Sequence, residues 1–78
     1  MTEALLPTVA GATDARTFMA GSMAMAAIHL EHALAHIALG DTTALLRSAQ
    51  KFAVCAAAAV ETLPEAVKEM DAEGGAHV

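Results

Sequence analysis

Seventy-eight residues hold one small domain, and a chain of this size buries too little surface alone to be comfortably stable without a staple or a partner. A hydrophobic content of 56%, with no Trp or Tyr, describes a core of Ala, Leu, Met and Val, and these residue types favour an all-α fold. The formal charge of -5, with Arg16, Arg47, Lys51 and Lys68 scattered along the sequence, excludes nucleic acid and anionic membrane, since both require a concentrated positive surface.

The opening segment, MTEALLPTVAGAT, lacks a basic n-region and carries Glu3, so a secretory signal is not expected and a cytoplasmic location is. Pro7 and Gly11 mark residues 1–12 as an N-terminal arm, followed by a helical domain over 13–73. Thr13 or Asp14 is the expected N-cap of a helix that runs from about Ala15 to Leu39. Gly40 supplies a left-handed terminus and Asp41 caps the next helix at once, which folds the two helices into an antiparallel hairpin.

The second helix, from about Thr42 to Thr62, places Leu45, Ala49, Phe52, Ala56, Ala59, Val60 and Leu63 on one face, with Arg47, Gln50, Lys51 and Glu61 behind. Pro64 suits the first turn of a short third helix, with Val67 and Met70 on one side and Glu65, Lys68 and Glu69 on the other. Gly74 and Gly75 are expected to end it, leaving 74–78 as a disordered tail.

The first helix is apolar around most of its circumference. Its charge-free run from Thr17 to Leu30 is too short to span a bilayer, and it leads into His29, Glu31 and His32. A helix that is hydrophobic nearly all round must be buried nearly all round, more than one partner helix and a short third one achieve. The expected solution is a homodimer, two hairpins forming a four-helix bundle, with a larger homo-oligomer as the alternative.

The segment HLEHALAH sets His29, His32 and His36 at i, i+3 and i+7, on one face of the first helix with Phe18, Ser22 and Met25. Apolar residues flank that sector, so the imidazoles are expected at a helix–helix or subunit interface, where they need partners or a ligand. Metal binding is one expectation, because His32 and His36, or His29 and His32, have spacings that let two imidazoles reach one ion. His29 and His36 are about 10 Å apart along the axis, so a second copy has to complete the shell, which suits zinc or copper. Met25 and Cys55 are the additional candidate ligands; haem would need imidazoles from two facing helices. Di-iron chemistry fits less well, because Glu31 and Glu61 point away from the stripe.

The alternative expectation is structural. Pairing about Gly40 sets His36 level with Leu45, His32 with Ser48 and Ala49, and His29 with Phe52, so that Ser48 is a hydrogen-bond partner for the stripe. No carboxylate or nucleophile shares that sector, and Cys55 reads as an inert thiol, so catalysis is not expected. The seven residues AHIALGD faintly resemble the phosphoacceptor helix of histidine phosphotransfer domains, with Ala38 and Leu39 where those domains carry a lysine. That resemblance implies an exposed, phosphate-accepting His36; the missing lysine and the helix-ending Gly40 count against it. A non-catalytic interaction or scaffold subunit, covering an apolar surface of a larger protein partner, is the expectation from a different class.

Overall fold

The computed structural model describes residues 14–76. Two helices account for nearly all of them, α1 (Ala15–Leu39) and α2 (Thr42–Ala76), packed side by side as an antiparallel hairpin. The sequence-predicted arm, residues 1–12, lies outside the described residues. Among those described, no helix is long and apolar enough to cross a membrane.

The ends of α1 and the start of α2 follow from local chemistry. Asp14 is extended and accepts a hydrogen bond from the Thr17 amide at 2.7 Å, which satisfies one of the free donors of the first turn. Gly40, at φ 71°, ends α1: its amide donates to the Ile37 carbonyl at 3.1 Å and the Asp41 amide to the His36 carbonyl at 3.0 Å. That pair of bonds closes the helix in a Schellman arrangement, which requires the left-handed conformation that glycine adopts without a Cβ penalty. Asp41 Oδ1 then accepts from the Ala44 amide at 3.1 Å and starts α2.

Hydrogen bonds from Thr17, first from its side chain and then from its amide, hold the Asp14 carboxyl below its ordinary range. A depressed carboxylate pKa stabilises the fold fully above its unfolded value of about 4 and loses that contribution as pH falls through the folded value. Asp14→Asn, which keeps the cap but cannot titrate, should therefore flatten the helical signal of this terminus below about pH 4, measured by circular dichroism against the parent chain.

The expected third helix does not exist. Pro64 sits inside α2, which continues to Ala76 and so carries through Gly74, past the expected end of the helical domain at residue 73. A proline within a helix withdraws one amide from the carbonyl four residues back, here that of Val60. Both Pro64 and Val60 are exposed, so water can serve the orphaned carbonyl. Ala59 and Ala66, on either side of the proline, are 2% and 1% exposed, so the helix stays packed across it. Residues 77–78 lie outside the described residues.

The far end of the hairpin is also tied. Glu69 of α2 accepts from the amides of Ala15 and Arg16, at 2.8 and 2.9 Å, one on each carboxylate oxygen. A negative group here meets both the free donors and the positive end of the α1 dipole. Arg16 adds an ion pair to Glu73, on which its guanidinium is held above its ordinary pKa.

Between these ends the contact is made by small residues. Ala26 and Ala33 of α1 and Ser48, Ala59 and Ala66 of α2 are the buried positions among the described residues, and no large side chain is fully buried. Alanine seams let helix backbones approach closely but remove little apolar area from water.

Candidate functional site

The hairpin has two unlike sides. On one, Met19, Met23, Ala27, Phe52, Ala56 and Val60 line a shallow cavity of about 280 Å³. Helical periodicity carries the same surface onward, through Leu30, Leu34 and Ile37 on α1 and Leu63 and Val67 on α2. None of these side chains is charged, yet Met23, Leu34, Ile37 and Val60 are more than half exposed. Its middle stretch is charge-free, and by the same periodicity Arg16 and Asp71 toward the open mouth and Glu31 at the edge bound this charge-free side.

The other side carries the histidines. His29, Arg47, Gln50, Lys51, Val54 and Cys55 line a cavity of about 290 Å³. A second cavity, about 420 Å³, joins it at Val54 and Cys55 and extends past Met25, Ser22 and Phe18. The i, i+3, i+7 spacing thus does form one stripe, of which His29 lines the groove between the helices.

Its three imidazoles have different surroundings. His32 is exposed, whereas His29 and His36 are half-buried. The rings of His29 and His32 meet edge to face, with centroids 6.1 Å apart and an interplanar angle of 74°. His36 Nδ1 lies 3.1 Å from Ser48 Oγ, and that hydroxyl in turn donates to the carbonyls of Ala44 and Leu45, at 3.0 and 3.2 Å. A serine hydroxyl has one proton, so with it directed at the backbone the Oγ accepts from Nδ1–H, which leaves the lone pair of a neutral His36 on Nε2. Ser48 is 5% exposed, and this network accounts for its burial.

Ser48 meets His36, where simple counting about Gly40 set it beside His32. The offset comes from side-chain direction: on each helix the Cα–Cβ bonds tilt toward the N-terminus, so contacting residues on antiparallel helices lie about one position further along each chain than their Cα levels imply. The same offset brings Cys55, rather than Phe52, to the cavity of His29.

Of the candidate ligands, Cys55 is a free, half-buried thiol on the groove wall shared by both cavities, and Met25 is exposed in the second cavity. Among the described residues, no three His, Cys, Asp or Glu side chains converge where they could hold one metal ion. One chain therefore brings imidazoles near each other without building a closed site. Two features escaped the sequence pattern: the Glu69 clamp, which joins residues 54 apart in sequence, and the gathering of Arg47 and Lys51 with His29. The i, i+4 spacing of Arg47 and Lys51 was visible; the helix register that faces them to His29 was not.

Comparison with protein-family models, with curated proteins and with solved structures finds no match to this chain.

Proposed function

We propose that the chain is a self-associating helical hairpin, a non-catalytic interaction module whose two copies pair through the charge-free side into a four-helix bundle. The observation that carries this reading is the mismatch between seam and surface: the two helices bury alanines and one serine against each other, while Leu34, Ile37, Val60 and Met23 stand outside. Apolar side chains gathered on one uncharged side are stabilised by removal from water, and a second copy supplies a complementary surface by symmetry. The size is adequate. The 25 residues of α1 span about 37 Å, and two helices side by side are about 20 Å wide, giving about 750 Å² per copy, close to the 800 Å² of an ordinary stable interface.

Metal binding is a second reading, favoured by the Ser48 bond that orients His36. A ligating histidine is commonly held through its other ring nitrogen by such a partner, which presents the free lone pair to the ion. Zinc or copper would then be held by imidazoles of two chains meeting on the histidine side, with Cys55, on the wall of the His29 cavity, and Met25, further along the groove, as additional candidates.

Sedimentation equilibrium of untagged protein at micromolar concentration, with elemental analysis of the same sample, tests both. A dimer without stoichiometric metal is the expected result. A compact folded monomer sinks the association reading, and metal lost on His36→Ala with helicity intact establishes the second.

A further inference from the structure

Four basic residues serve this acidic chain, and their placement is uneven. Arg16 is paired with Glu73, and Lys68 lies 4.0 Å from Glu65. Arg47 and Lys51 make no ion pair among the described residues; they stand one turn apart on α2 and line the same cavity as His29 and the Gln50 side chain, with no carboxylate in its wall. Like charges at i, i+4 repel each other on a helix surface, and that repulsion is relieved when an anion sits between them. Beyond Val54 and Cys55 the same groove turns apolar, lined by Phe18, Met25 and Ala58. Cationic donors at one end and an apolar trough at the other match a ligand with those two parts in the same order.

We propose that the groove on the histidine side binds a small amphipathic organic anion, a carboxylate with an apolar chain, its head between Arg47, Lys51 and His29 and its tail along Val54, Met25 and Phe18. Arg47 and Lys51 supply charge-assisted hydrogen bonds to the carboxylate, and Gln50 supplies a neutral amide donor at the same end. Cys55 stands at the junction between head and tail, where its thiol reports occupancy. Pairing of two chains through the charge-free side leaves this groove open, so both states bind.

Decanoate and decanol, which share a tail and differ in the head, are the probes. Isothermal titration of the full chain below the micellar range should show decanoate bound at one per chain, weakening as salt rises from 0.01 to 0.15 M, where the screening length falls from about 30 to about 8 Å. The double variant Arg47→Gln, Lys51→Gln should bind decanoate about tenfold or more weakly, since one factor of ten is the scale of a single lost charged contact. Decanoate, and not decanol, should slow alkylation of Cys55 in the parent chain. Equal affinity for acid and alcohol, unchanged decanoate binding by the double variant, or an unprotected thiol would each overturn the proposal.

Discussion

Val60→Glu should dissociate the proposed dimer, and Val54→Glu, six residues earlier on the same helix, should not. The two valines are matched in exposure, at 66% and 69%, so a difference between them reports the side of the hairpin rather than the depth of the residue. Val60 lies on the charge-free side, in the cavity of Met23 and Phe52; Val54 lies on the histidine side, with Arg47 and Lys51. A carboxylate placed in an apolar seam loses its hydration without gaining a partner, and twofold symmetry places two of them there at once. The expected cost is about 3 kcal/mol or more, a rise in the dissociation constant of at least about a hundredfold. Because the hairpin buries little by itself, the freed subunit should also melt at lower temperature. Sedimentation of both variants at equal concentration decides it. The opposite pattern would move the seam to the histidine side and bring imidazoles of two chains together there.

Ala59→Leu tests the close approach of the helices. At 2% exposure, Ala59 has no room on its own side of the seam, and three added carbons must push α1 and α2 apart or adopt a strained rotamer. Overpacking of this kind costs about 1–3 kcal/mol, and each kcal/mol lowers the melting temperature of a domain of this size by about 4–8 °C. Ala57→Leu, on the exposed outer face of α2, is the control and should move stability by no more than about 0.5 kcal/mol. Thermal melts over a series of protein concentrations separate packing from dimer dissociation, since only the second depends on concentration. Equal melting points for the two variants would show that the helices are not held at alanine distance.

Features set within a few neighbouring residues were legible in the sequence. Asp14, one of the two N-caps the pattern offered, Gly40 as left-handed terminus and Asp41 as the next cap all depend on contacts three to five residues away, and the structure has each in that role. Pro64 was misread because its local signal is two-valued: the residue suits the first turn of a helix, and it is also tolerated inside one whose freed carbonyl faces water. Only the packing of Ala59 and Ala66 on α1 distinguishes these outcomes, and that is tertiary information.

The histidine stripe was legible as a stripe because seven-residue spacing on a helix is geometry. Its surroundings were not. Enclosure of His29, His32 and His36 was expected at a helix–helix or subunit interface; within one chain the partner helix covers only a narrow sector, so that His32 is exposed and the others are half-buried. The grouping of Arg47 and Lys51 beside His29 likewise depends on the register of two helices, which side-chain tilt displaces from simple counting.

The Glu69 carboxylate has a consequence for how the hairpin comes apart. A hairpin joined only at its loop frays from its open mouth, one turn after another, whereas here Ala15 and Arg16 are fastened to α2 at that mouth. The pair of helices is thus latched at both extremities, and its loss of structure is expected as a single concerted event instead of a gradual unzipping.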